Sequence, residues 1–339
     1  MIRRLSAALA LSMIAGAGSA ESRLLDWADL DGWDADDHDS ARAVFLETCG
    51  DLTKGDWPAL CAFAAKAGDA RVFFETFFRP VLITDGREAL FTGYYEPELQ
   101  GSRVKMGQYR YPLYRRPDEV PGTTPWLTRE EIETSGVLAE RGLEIAWLSD
   151  PVDKFFLQVQ GSGRIKLADG GSLRVGYGGK NGHPYRSVGK EMVRRGLFES
   201  HQVSAQTIRR WVSRNPVQGP KLLWHNPSYV FFREVSQLPA DKGPLGAMSR
   251  SVTAGRTLAV DPEFVPLGTP VWIEKDGSSP LRRLMVAQDT GSAIKGAQRG
   301  DIFYGTGPEA GKIAGRTRDP GRMIVLLPIQ DTLSIAAGE

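Results

Sequence analysis

Cysteine and histidine are both scarce in this 339-residue chain, with two of the first and four of the second. The histidines, His38, His183, His201 and His225, never stand three to five residues apart, and no thiol pair has zinc spacing. That pattern argues against a metal site and against a metallopeptidase. There is no charge excess of either sign, with 42 Lys+Arg against 41 Asp+Glu, so the basic surplus that nucleic-acid binding requires is missing. No Gly-x-Ser-x-Gly elbow occurs, which disfavours an α/β-hydrolase. The cluster Gly176, Gly178, Gly179, Gly182 fits neither phosphate-loop nor dinucleotide spacing and reads as a mobile loop. Beyond the first twenty residues, no apolar run approaches the ~20 residues that span a bilayer.

Gly (38 residues) and Pro (21) are plentiful, and they favour short strands between turns over a helical bundle. Residues 1–20 read as a secretory leader: Arg3 and Arg4 precede an apolar stretch, and Gly18, Ser19 and Ala20 supply small residues for cleavage. No cysteine sits near that point, so an exported protein without a lipid anchor is expected. Export makes an oxidising compartment, in which Cys49 and Cys61 are expected to join two adjacent helices. The alternative is a pair of buried free thiols.

Residues 21–38 are acidic, carry Trp without a period, and read as a loose lead-in. Three helices are expected next, over 41–48 capped by Ser40, over 57–67 ending at Gly68, and over 70–78 opened by Asp69. Residues 81–84 and 90–95, about the turn Asp85-Gly86, read as a hairpin. The stretch 100–236 changes character. It opens with Pro- and Arg-rich loops and a capping box from Thr128 to Glu131. Strands are expected over 155–159, 164–167 and 172–177, helices over 187–195 and 204–214, and a strand over 229–235. The last hundred residues read as five strands, 257–260, 270–275, 283–288, 301–304 and 322–327, with one helix over 308–314. Such spacing suggests a small closed barrel.

Three aspartates stand at ends of these barrel strands: Asp261, Asp289 and Asp301. Taken singly, Asp-Pro and Asp-x-Gly pairs mostly make turns. Asp301 differs because Ile302, Phe303 and Tyr304 follow it directly. Desolvation there would raise its pKa and keep a proton available, as a general acid requires. Tyr94, Tyr95, Trp126, Trp147, Tyr177 and Tyr185 alternate with Glu96, Gln158, Gln160, Ser162 and Asn181, a mixture suited to sugar rings and hydroxyls, although about half of such aromatics serve as core.

Several segments carry a more specific signal. Residues 91–97 (FTGYYEP), 156–163 (FLQVQGSG), 226–232 (NPSYVFF), 243–246 (GPLG), 258–262 (LAVDP), 289–296 (DTGSAIKG) and 307–311 (GPEAG) follow in order. With them, the chain from about 80 to 328 resembles the lytic murein transglycosylase A family, closing in a three-aspartate domain. The resemblance implies a mainly β protein with N-terminal helices. In it a double-psi β-barrel domain (21–99 plus 237–339, with helices over 40–79) and a smaller inserted β-domain (100–236) flank a deep groove. It implies a peptidoglycan lyase that cleaves between N-acetylmuramic acid and N-acetylglucosamine and closes a 1,6-anhydro ring. Asp301 matches the catalytic acid, and Asp261 and Asp289 match its supporting aspartates. Thr92, Gly93, Tyr94, Tyr95, Gln160, Gly161, Ser162, Gly163 and Tyr177 match the groove. No cofactor or metal is implied. The implied partner is the glycan strand, with cell-wall synthesis or division complexes recruiting a monomeric enzyme. The implied place is the periplasm of a Gram-negative bacterium, soluble or loosely held at the outer membrane. The rival reading is a non-catalytic glycan-binding or wall-loosening protein, since fold alone does not fix function.

Overall fold

The computed structural model of the chain describes residues 20–122, 124–236, 238 and 242–336. All of the expected leader before Ala20 lies outside the described residues. Two mixed sheets carry the fold. The larger runs Glu21–Leu24, Phe78–Thr84, Gly321–Pro328, Pro270–Lys275, Leu281–Thr290, Thr257–Val260, Arg299–Thr306, Leu90–Glu96, Arg318–Asp319 and curls into a nearly closed barrel. The smaller runs Tyr111–Tyr114, Glu144–Leu148, Glu98–Ser102, Gly163–Leu167, Ser172–Lys180, Val230–Glu234.

Alternation along the barrel strands separates two faces. Phe91, Leu258, Val260, Ile302, Val271, Ile273, Met323 and Val325 fill one core. Trp272, Leu284, Val286, Ile324 and Leu326 point the other way and meet Phe45, Phe73 and Phe74 of the N-terminal helices. A strand's period of two produces that division without further instruction. The helices are His38–Thr48, Trp57–Ala64 and Ala70–Phe77. Cys49 and Cys61 are disulfide-bonded across the turn between the first two, with Cα atoms 5.7 Å apart, a normal span for the bond.

Five sequence expectations need correction, the first being that Gly176, Gly178 and Gly179 lie on the Ser172–Lys180 strand, paired with Val230–Glu234, and not in a mobile loop. The lead-in is not loose. Glu21–Leu24 pairs with the Phe78–Thr84 strand, and Trp33 is buried edge-on to Trp272 with its indole N–H donated to Glu75. Its contacts are tertiary, so no local period announces them. Residues 78–84 and 90–96 are strands but not a hairpin. The first pairs with Gly321–Pro328 and the second with Arg299–Thr306, because the chain crosses the barrel between them. The stretch 155–159 is not a strand but part of the helix Pro151–Gln160. Asp150 caps that helix by accepting from the Val152 amide, Pro151 occupies its first turn, and Gly161 ends it at φ 80°. Those stop and start signals outweigh the β-favouring Phe-Phe-Leu-x-Val run. Finally, Asp37 rather than Ser40 caps the first helix, accepting from the Ser40 amide. The expected capping box at Thr128 and Glu131 is present, as is the hairpin from Gly163–Leu167 to Ser172–Lys180.

The sheets meet at Glu96, the last residue of the Leu90–Glu96 strand, which is wholly buried. Its carboxylate accepts from Arg164 Nε at 2.8 Å, from Arg174 Nε at 2.6 Å, and from Thr306 Oγ1 at 2.9 Å. Both arginines belong to the smaller sheet and Thr306 to the barrel. A buried carboxylate is tolerable only when so fully paired.

Candidate active site

Strand register assembles the site. Thr92 pairs with Asp301, Asp301 with Ala259, and Ala259 with Asp289, so one row crosses four adjacent strands. Their neighbours Phe91, Ile302 and Leu258 point into the barrel core, so this row lies on the opposite face. The Leu90–Glu96 and Arg299–Thr306 strands run parallel, which keeps Thr92 and Asp301 side by side. Tyr94, two residues beyond Thr92, shares its face and lays its ring 5.1 Å from Phe303.

Hydrogen bonds then fix the polar groups. Thr92 Oγ1 donates to Asp301 Oδ1. Arg299 Nη2 donates to Thr92 Oγ1 at 2.7 Å. The Tyr94 hydroxyl donates to Asp289 Oδ2 at 2.8 Å, while Asp289 Oδ1 accepts the Ala247 and Thr290 amides at 3.0 and 2.8 Å. Gly246 is what lets the 243–252 loop come this near. A Cβ there would lie 2.8 Å from the Gln288 carbonyl oxygen and 3.3 Å from Asp289 Cγ.

The two site carboxyls are both pushed toward the protonated form. Burial raises Asp301, against the Thr92 hydrogen bond and the Arg299 charge, which favour the carboxylate. Burial also pushes Asp289 up to about 6, helped by the negative charge of Asp301 and opposed by its three donors. Burial and the Asp289 charge lift Tyr94 well above the usual phenol range, so it remains a donor. Asp261 behaves oppositely. Burial works against its charge, but the Gly296 amide at 2.9 Å and the Lys295 ammonium at 3.0 Å prevail and hold it below the ordinary range. An aspartate held ionised by a turn amide and a lysine is a clamp for the 291–296 loop, not a proton donor.

The other sequence-derived residues fall into three places. Tyr95 and Gln160 meet at the joint between the sheets, where the Tyr95 amide donates to Gln160 Oε1 at 3.1 Å. Gly161 and Ser162 follow directly, Gly161 as the left-handed helix stop. Gly93 and Gly163 face packing, not open space. A Cβ on Gly93 would lie 2.5 Å from Tyr304 Cε2 and 2.8 Å from Ala314 Cα, and one on Gly163 would lie 2.4 Å from Leu157 Cδ1. Tyr177 stands half-exposed on the Ser172–Lys180 strand of the smaller sheet. Arg299 and Ala247 were not singled out from sequence, and Gly246 entered only within the 243–246 segment. Arg299 carried a usable signal, since a residue two before Asp301 on a strand shares its face. Ala247 acts through its backbone and carried none.

Among the described residues, no cluster of three His, Cys, Asp or Glu side chains is arranged to hold a metal ion. No helix among them is long and apolar enough to cross a membrane.

Comparison with known proteins shows the family to which the chain belongs. Residues 90–233 match the MltA specific insert domain and residues 256–327 the 3D domain. The membrane-bound lytic murein transglycosylase A of Escherichia coli K12 is 39% identical over 246 residues, covering 70% of this chain and 65% of that relative. The matched stretch therefore spans a little under two thirds of the curated relative's length. A crystal structure of membrane-bound lytic murein transglycosylase from Agrobacterium tumefaciens superposes with a TM-score of 0.82 at 34% identity, over 92% of this chain and 99% of that one. E. coli MltA with bound chitohexaose superposes with a TM-score of 0.73 at 30% identity, over 91% and 94% of the two chains. The chain belongs to the membrane-bound lytic murein transglycosylase A family.

Proposed function

We propose that this protein is a peptidoglycan lytic transglycosylase in which Asp301 acts first as acid and then as base. The observation that carries the reading is a desolvated carboxyl bound through Oδ1 to Thr92, with no described partner on Oδ2. Glycosidases that use water need a second carboxyl as base or nucleophile. Asp289 is poorly suited to that part, since three donors already engage its oxygens. One carboxyl suffices when the substrate brings its own nucleophile. Asp301 gives its proton to the oxygen joining N-acetylmuramic acid to N-acetylglucosamine, and the C1–O bond breaks. The muramic C6 hydroxyl attacks C1, its proton passes to the Asp301 carboxylate, and a 1,6-anhydro ring closes. Atoms balance without water. An intramolecular attack of this kind gains an effective molarity of order 10⁵ M or more.

The glycan strand would lie in a groove between the barrel domain (21–99 and 237–339) and the inserted domain (100–236). Tyr94, Tyr95, Gln160 and Ser162 would line it, Asp289 and Asp261 would support the site, and Tyr177 would extend it. The chitohexaose held by the E. coli relative, a β-1,4-linked amino-sugar oligomer, supports a glycan ligand here. The relatives' description as membrane-bound murein transglycosylases supports action at the cell wall, in the periplasm after export.

Digestion of purified sacculi followed by mass spectrometry tests the reading. The wild type yields 1,6-anhydromuramic ends. Asp301→Asn binds chitohexaose but loses about 100-fold or more in rate, the usual worth of a general acid. Reducing-end muramic acid in the products, or near-normal activity in the variant, overturns it.

A further inference from the structure

We infer that Arg299 is a positioning residue that fixes the transferable proton on Oδ2 of Asp301. The inference rests on the function proposed above and concerns how the same carboxyl is set up. Thr92 Oγ1 has two partners among the described residues, Arg299 Nη2 at 2.7 Å and Asp301 Oδ1. A guanidinium can only donate, whereas a hydroxyl holds one hydrogen and two lone pairs. Arg299 therefore occupies one lone pair of Thr92, and the hydroxyl's single hydrogen has one acceptor among its partners in the described residues, Asp301 Oδ1. An oxygen that receives a hydrogen bond in this way is not the one that carries the acid proton. The proton of the neutral carboxyl sits on Oδ2, which has no partner among the described residues and is therefore left to donate to the glycosidic oxygen.

The guanidinium is itself held in place. Arg299 Nη1 donates to the Leu90 carbonyl at 3.2 Å and to the Gly300 carbonyl at 2.6 Å, one on each of the paired strands. Its orientation is set by backbone, and the order of donation runs one way: Arg299 to Thr92 to Asp301. Without a permanent donor at this position, the Thr92 hydroxyl can rotate and accept from a protonated Oδ1. The proton would then be parked against Thr92, turned away from the substrate. The side chain of Arg299 makes this contact from two residues upstream on the same strand face, where register and period alone place it.

The test is a double-mutant cycle on soluble glycan strands, with kcat and KM measured at each variant's own pH maximum. That choice removes the change in Asp301 ionisation expected when the Arg299 charge is lost. Asp289, Tyr94 and Arg318 are the other titratable groups facing this row, and all are retained. Arg299→Gln, which offers an acceptor as well as a donor, lowers kcat about tenfold or more and leaves KM within about twofold. Arg299→Lys, a pure donor, restores most of the rate. In a Thr92→Val background, Arg299→Gln has less than about a twofold further effect, because the relay it acts through is gone. An equal loss from Arg299→Gln in both backgrounds, or a Lys variant as slow as the Gln one, overturns the inference. Thermal melting and chitohexaose binding check that each variant folds. Should Arg299→Gln not fold, the rates of Arg299→Lys and of Thr92→Val decide: a slow Lys variant or a fully active Val variant refutes the relay. An active Asp301→Asn would instead sink the proposed function.

Discussion

Replacing Asp289 by Asn should make the protein more stable and less active, and the size of the gain follows from the site. Burial pushes this carboxyl from an ordinary 3.8 up to about 6. The folded state therefore holds the proton more tightly than the unfolded chain does. Its contribution to stability is fully present below about pH 4 and is lost as the pH rises through about 6. At about 1.4 kcal/mol per pH unit, keeping an ionised Asp289 in the folded protein above that pH costs at most about 3 kcal/mol. Asparagine removes the charge but keeps the hydrogen bonds. Its Oδ1 can accept the Ala247 and Thr290 amides, and its Nδ2 can donate to the Tyr94 oxygen once that hydroxyl turns. Urea denaturation of wild type and variant, disulfide intact, at intervals from pH 4 to 8 reads the effect directly. The two curves coincide near pH 4, and the variant gains up to about 3 kcal/mol by pH 7 to 8. The variant also loses activity, since Tyr94 no longer donates into the site. A pH-independent difference, or a variant less stable at pH 8, would falsify the account of Asp289 as a strained, desolvated carboxyl.

Two further outcomes follow from the geometry. Reducing the Cys49–Cys61 bond frees a 12-residue separation between helices, so unfolding free energy should fall by about 3 kcal/mol in the chain-entropy description; identical melting with and without reductant refutes this. Gly93→Ala places a methyl 2.5 Å from Tyr304 Cε2 and 2.8 Å from Ala314 Cα, so it should cost about 1–3 kcal/mol as an overpacked site. The rate per folded molecule should be unchanged, and a slow enzyme of normal stability would make Gly93 a substrate contact instead.

What could be read from the sequence was whatever is encoded locally. The five C-terminal strands, the capping box at Thr128 and the Asp69 cap carry their own signals of period and side-chain chemistry. The burial of Asp301 was legible because an apolar run begins directly after it, and that burial raises its pKa. Pairing was not legible. Nothing within residues 78–96 says that the two strands part company to join partners more than two hundred residues away. The helix over 151–160 was misread for a different reason: its apolar residues are bulky and β-favouring, and only Asp150, Pro151 and Gly161 reveal the helix. The part played by the Ala247 amide could not be read from side chains at all, since register and loop path bring it to Asp289.

The Leu90–Glu96 strand shows why these pieces belong together. Its even-numbered residues Thr92 and Tyr94 face the carboxyls, while Gly93 packs beneath Tyr304 and the Gly307–Ala314 helix. The next two residues leave the barrel's concerns: the Tyr95 amide takes Gln160 from the inserted segment, and Glu96 takes Arg164 and Arg174. An apolar joint of similar volume could be as stable or more so, since desolvating three charges is costly. It would not, however, fix direction. A carboxylate held at 2.6 and 2.8 Å by two guanidinium groups and at 2.9 Å by Thr306 sets distance and angle at once. The strand that orients Asp301 through Thr92 thus also orients the end of the 151–160 helix, four residues further along, and with it Gln160 and Ser162. A glycan bound across both sheets, as proposed, would meet the Asp301 carboxyl, the Gln160 amide and the Ser162 hydroxyl on supports that one seven-residue strand ties together, as transfer of a proton to one linkage in a long polymer requires.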